Sequence, residues 1–157
     1  MVAEQYGTLE TLYPNRVELG LGRAPGTDMQ TAAALRRGRN SLDFPAEIAE
    51  LRGYFKDCNP VSAYPSAGLN IPFYILGSST ESAYLAAELG LPYAFASHFA
   101  PRMMEMAVEI YRKNFKPSSY LAEPYVILGV NAIVAETDKE ARQLATTQTL
   151  FFLKCSD

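Results

Sequence analysis

Ile71-Pro-Phe-Tyr-Ile-Leu-Gly-Ser-Ser79 is the stretch that decides how this chain folds. Its apolar run, Phe73 to Leu76, is too short for a helix and rich in the residues that suit a pleated, buried strand. The run stops at Gly77-Ser78-Ser79, and Thr80 to Leu89 follows with Ala83, Ala86-Ala87 and Leu89 at helical spacing until Gly90 ends the pattern. A second apolar strand, Tyr93 to Ser97, comes at once. Strand, turn, helix and strand in that rhythm predict a βαβ unit with parallel strands, and the small helical residues predict a helix lying close on the sheet.

The same construction recurs upstream in Arg16-Val-Glu-Leu-Gly-Leu-Gly-Arg-Ala-Pro-Gly-Thr-Asp28, where a strand from Val17 to Leu21 runs through small residues into an Ala-rich helix, Met29 to Arg37. Around these two segments the rest falls into place. Val2 to Leu12 reads as an opening helix, with Val2, Gln5-Tyr6, Leu9 and Leu12 near helical spacing, that Tyr13-Pro14-Asn15 stops, and Asp43 or a neighbour caps a further helix reaching Phe55. Asp57 to Asn70 reads as a loop. Pro101 opens a helix that buries Met103, Met106-Ala107, Ile110 and Tyr111. Tyr125 to Ala135 reads as one long apolar strand, and Thr137 or Asp138 caps a last helix through Phe151-Phe152. One helix followed by four βα units calls for a parallel sheet with right-handed crossovers, either a doubly wound sheet or part of a β/α barrel, in a single domain over residues 1–157.

Composition narrows the function classes. The chain has 157 residues, 48% hydrophobic and 20% charged, which suits a soluble globular domain. A formal net charge of −3 gives no general attraction for nucleic acid or an anionic membrane, so neither is expected as a partner. No apolar stretch approaches the roughly 20 residues of a membrane span, and the first residues lack a signal-peptide pattern. Cys58 and Cys155 sit outside metal-ligand spacing and fit a reducing compartment, so a cytoplasmic protein without a disulfide is expected. With His98 as the single histidine, a multi-histidine metal site is excluded, and no metal is expected.

The two strand-end turns carry the chemistry. A helix leaves its first amide N–H groups without intrahelical partners, and its dipole favours negative charge there. Gly77 permits close backbone approach, Ser78 and Ser79 add hydroxyl donors, and Arg23 one strand earlier adds a guanidinium fork suited to phosphate oxygens. Arg23 also reads as a strand-end arginine paired with Glu18 or Asp28, and the serines as an ordinary helix cap.

Leu12-Tyr-Pro-Asn-Arg-Val-Glu-Leu-Gly-Leu-Gly-Arg-Ala-Pro-Gly-Thr-Asp28, Leu76-Gly-Ser-Ser79 and Leu85-Ala-Ala-Glu-Leu-Gly-Leu-Pro-Tyr-Ala-Phe-Ala-Ser-His-Phe99 together resemble the bacterial luciferase-like flavin-dependent monooxygenases. The resemblance implies a (β/α)8 barrel that binds reduced FMN at the C-terminal strand ends and uses dioxygen on an aldehyde or other small organic substrate. By position, Arg23 resembles the family's phosphate-binding arginine after the fourth barrel strand. Ser78, Ser79 and Ser82 resemble its phosphate contacts after the fifth, with Ala24, Pro25 and Gly77 shaping the pocket. A deazaflavin would present the same phosphate. The chain corresponds to barrel strands four to seven, a partial barrel of about four parallel strands, and the family's early-strand catalytic histidine has no counterpart in it.

His98, just past a strand, is either a group facing the flavin or substrate or a histidine bonded to a loop carbonyl. Met103, Met104 and Met106 read as helix core, Arg36-Arg37-Gly-Arg39 as a solvated helix end, and Tyr120 to Tyr125 as packing. Four middle strands of a barrel leave two open edges and an uncovered inner face, and Leu150-Phe-Phe-Leu153 adds apolar surface. A homo-oligomer that covers them is therefore expected. Two functions follow: a luciferase-like FMN-dependent monooxygenase completed by oligomerisation or further residues, or a truncated relative that binds flavin or phosphate, or only assembles, without catalysing.

Overall fold

The computed structural model describes residues 1–24, 29–35, 43–98 and 100–154, without the side chains of Met29, Ala32, Leu35, Phe151, Phe152 and Lys154. Pro25, Asp28, the Arg36-Arg37-Gly-Arg39 run and Cys155 lie outside the described residues. The order is α1 (Val2–Leu12), β1 (Leu19–Gly22), α2 (Met29–Leu35), α3 (Phe44–Phe55), β2 (Phe73–Gly77), α4 (Thr80–Leu89), β3 (Tyr93–Phe95), α5 (Met104–Asn114), β4 (Val126–Leu128) and α6 (Asp138–Lys154).

Local chemistry explains the boundaries. Asp43 caps α3, its carboxylate accepting the Ala46 N–H at 3.0 Å, with a proline in the first turn. Gly90 ends α4 at φ 60°, a left-handed conformation that a side chain would strain. Thr137 caps α6 by accepting the Glu140 N–H at 3.2 Å.

All strand pairs are parallel, and the sheet order is β1-β2-β3-β4. A doubly wound sheet would reverse direction of growth partway, whereas consecutive order with every crossover on one side is how a β/α barrel grows. The chain is therefore a partial barrel of four strands. Leu19, Phe73, Ile75, Tyr93 and Phe95 face the helices and are buried. The small residues Ala83, Ala86 and Ala87 bring α4 onto this side of the sheet with no accessible surface left.

Three expectations change. The long strand from Tyr125 to Ala135 shrinks to Val126–Leu128, because β3 offers partners only as far as Phe95 and no further strand borders β4 among the described residues. Beyond it Val130 and Val134 are exposed despite their apolarity. The helix opened by Pro101 begins as a 3-10 turn, Pro101–Met103, and its buried side is Ala107 and Tyr111, with Met106 exposed. α1 buries Ala3, Gly7 and Glu10 rather than its leucines, because a Cβ at Gly7 would stand 2.6 Å from the Ser66 backbone. Only glycine allows that approach.

Candidate functional site at the C-terminal strand ends

β1 and β2 are neighbours with Gly22 opposite Leu76, so their C-terminal ends open side by side. Arg23 and Ala24 follow β1 and are exposed; Ser78 and Ser79 follow β2 and are half-buried. The fold thus brings the two turns together, as the sequence implies. His98 follows β3 and is exposed on the far side of β2 from Arg23, next to Gly129. Its carbonyl accepts the Asn131 side-chain amide at 2.6 Å.

The turn after β2 is fixed from behind. Ser79 is the N-cap of α4, in extended conformation, and its hydroxyl oxygen faces the Ser82 N–H at 3.5 Å. Ser82 donates its own hydroxyl to the Ser79 carbonyl at 2.7 Å, and the Tyr93 hydroxyl donates to the same carbonyl at 3.0 Å. The Ser82 and Tyr93 hydroxyls are 3.0 Å apart. This closed set pins the first turn of α4 to β3. Burial raises the Tyr93 pKa above its ordinary value, partly opposed by the Ser82 hydrogen bond, so the phenol stays neutral.

Gly77 belongs to the same arrangement. A Cβ there would overlap the Ser82 side chain, so glycine is required by close packing rather than by its backbone angles. The hydroxyl of Ser82 is directed at this network, behind the turn, whereas Ser78 has no hydrogen bond from its side chain among the described residues.

Glu81, in the first turn of α4, completes the site and was not signalled by the motifs. Its carboxylate is held below its ordinary pKa by its own backbone N–H and by the Ser79 hydroxyl, opposed by desolvation, with the Arg23 charge the last of the lowering contributions. A carboxylate therefore already sits in the first turn of α4. Among the described residues no group of histidines, cysteines and carboxylates has metal-binding geometry. No described helix is long and apolar enough to cross a membrane.

Comparison with known proteins gives this arrangement its context. A protein of Bacillus subtilis strain 168 called YvbT is 54% identical over 158 residues, covering 98% of this chain and 47% of its own length. A luciferase-like monooxygenase of Escherichia coli K12 is 51% identical, covering 98% of this chain and 48% of its own. The N-acetyl-S-alkylcysteine monooxygenase of Bacillus subtilis is 34% identical over 104 residues, 60% of this chain. The crystal structure of apo-MsnO8 superimposes with a TM-score of 0.85 at 37% identity, over 99% of this chain and 47% of that one. The chain spans about half the length of the relatives it matches. Residues 1–154 match the family model described as luciferase-like monooxygenase, and the chain belongs to that family.

Proposed function

We propose that residues 1–157 form one partial barrel unit of a flavin-dependent monooxygenase, and that the ends of β1 and β2 hold the flavin phosphate. The observation that carries this reading is the pairing of Gly22 with Leu76, which sets the end of β1, where Arg23 follows, beside the serine turn that caps α4. A guanidinium, hydroxyls and the first amides of a helix suit a phosphate electrostatically. Arg23, Ser78 and Ser79 are the phosphate donors, Ala24 and Pro25 belong to the same pocket, and Gly77 and Ser82 keep the cap of α4 in place. FMN and a deazaflavin present the same phosphate, and FMN is the reading adopted here. When bound and reduced, the flavin supplies the reaction with dioxygen, on a small organic substrate such as an aldehyde. Family membership and the fit of these donors support the assignment.

Two anions at the start of α4 repel, so the Glu81 carboxylate opposes phosphate there. FMN titrated into the full chain should have its fluorescence quenched in a saturable manner. Arg23→Ala should weaken binding about tenfold or more, the usual scale for a charge-assisted hydrogen bond, and Glu81→Gln should tighten it. Absence of quenching at high micromolar FMN would falsify the reading.

In the second reading the chain is a relative that binds flavin or phosphate without catalysing. That reading predicts FMN binding with no oxygen consumption when reduced flavin and an aldehyde are supplied. Both readings include a homo-oligomer that covers the open strand edges, which sedimentation at several concentrations tests directly.

A further inference from the structure

At the opposite end of the sheet, where β2, β3 and β4 begin, lies a groove of about 500 Å³ lined by Phe55, Lys56, Leu69, Asn70, Pro72 and Tyr120, among others. We propose that it is a second ligand site, for a small organic anion with a flat apolar body, of which an aromatic carboxylate is the simplest example.

Charge is the first argument. Arg52 in the last turn of α3 and Lys56 at its C-cap converge on one ring: the Arg52 guanidinium carbon is 4.7 Å from the Tyr120 centroid and the Lys56 ammonium 5.5 Å. Neither cation has a carboxylate partner among the described residues. An aromatic face attracts each cation but does nothing for their mutual repulsion. Of the two, Lys56 lines the groove, and an anion held beside it there relieves the repulsion.

The lining is the second argument. Pro72 and Pro92 sit just before β2 and β3 and use their carbonyls in the sheet, accepting the Leu19 N–H at 2.8 Å and the Ile75 N–H at 2.9 Å. Having no N–H, they present apolar rings to the groove. Phe55 and Phe73 also line it and meet edge to face at 5.5 Å. The side chains of Asn70 and Ser119 and the Tyr120 hydroxyl also line it, and none makes a hydrogen bond within the described residues. Apolar walls with a few convergent polar groups in several hundred cubic ångströms are the usual constitution of a small-molecule site, and bare phosphate would leave most of that space unfilled.

The test is an amide NMR titration of the full chain with benzoate, with benzamide as the neutral counterpart and with inorganic phosphate. Benzoate should shift the signals of Lys56, Leu69 to Ile71 and Tyr120 saturably, without moving those of Ser78 to Thr80. Benzamide and phosphate should produce shifts at least tenfold weaker at equal concentration. The double variant Arg52→Gln/Lys56→Gln, exposed or half-buried positions whose replacement leaves the remaining spectrum in place, should weaken benzoate binding about tenfold. No saturable shift by roughly 10 mM benzoate overturns the proposal. So does a response to benzamide equal to that of benzoate, which removes the cations from the argument, or to phosphate equal to benzoate, which removes the apolar walls.

Discussion

The two faces of the sheet are built from similar residues and have opposite fates. On the helical face Ile75 has no exposed surface and Phe73 and Phe95 have almost none, whereas on the inner face Leu76 is 42% exposed and Ile127 38%. An open sheet meant for water would alternate apolar with polar, and this one does not. Gly20, Gly22, Ala94 and two large aliphatics line a surface of the kind that fills a barrel interior. The difference teaches that the described fold is held by one face, and that the other is shaped for a complement.

Adjacent residues of β2 test this most strongly. Ile75→Ala should destabilise the chain by about 2–5 kcal/mol, because it removes fully buried methylenes and leaves a cavity. Leu76→Ala removes as much aliphatic volume yet should cost under about 1 kcal/mol, since water already reaches much of the side chain. Urea midpoints measured at low protein concentration compare the two. Equal losses would break the comparison, by showing that a second copy covers the inner face in solution. In that case the unfolding midpoint should also rise with protein concentration.

The glycines at the ends of β1 and β2 sharpen it. A Cβ at Gly77, on the helical face, overlaps Ser82 and forces its hydroxyl away from Tyr93, so Gly77→Ala should cost about 1–3 kcal/mol. At Gly22, on the inner face, the nearest atom to a Cβ is the Leu76 carbonyl oxygen at 3.5 Å. Gly22→Ala should therefore change stability by no more than about 0.5 kcal/mol in either direction. A costly Gly22→Ala would again mean that the inner face is packed.

Which parts of this were legible in the sequence follows from the range of the forces involved. The β2-α4-β3 unit was readable because its signals are local: a short apolar run, a serine cap at Ser79 and a left-handed glycine at Gly90. β4 was over-read because apolarity reports burial and says nothing of hydrogen-bonding partners, and those run out at Leu128. In α1 the leucines pointed to the wrong side, because the close contact of Gly7 with Ser66 is set by residues 59 positions apart, which no helical period reveals. Of the candidate site, the pairing of Arg23 with the serine turn was visible as a motif, and its support by Tyr93 was not, since that hydroxyl reaches Ser82 from the next strand. Glu81 carries no motif of its own, and what acts on its carboxylate is set by the first turn of α4.

Two tyrosines repeat the contrast on a smaller scale. Tyr93→Phe removes a buried hydroxyl that bridges the Ser79 carbonyl and Ser82, and should cost about 1 kcal/mol, with faster amide exchange in the first turn of α4. Tyr74 points to the inner face, where its hydroxyl donates to an exposed Glu18 carboxylate at 3.2 Å. Tyr74→Phe should cost no more than a few tenths of a kcal/mol. If the two variants were equally destabilised, the cap of α4 would not depend on β3.

The smallest expected effect is the pH dependence carried by Glu81, and its sign separates the anion site from an ordinary surface acid. The folded chain lowers the Glu81 pKa, so the unfolded chain binds its proton first as pH falls. The stabilisation is complete above the unfolded value, close to 4.5, and is lost as pH drops through the lower folded value. Glu81→Gln should therefore flatten the fall of the urea midpoint in that acid window and leave the neutral region nearly unchanged. Carboxyl carbon NMR of the wild-type chain should place the Glu81 titration below those of its exposed neighbours, and Arg23→Ala should move it back part of the way. A Glu81 titration unaffected by Arg23→Ala would separate the two turns electrostatically, leaving the ends of β1 and β2 as neighbours in space that do not act on a common anion.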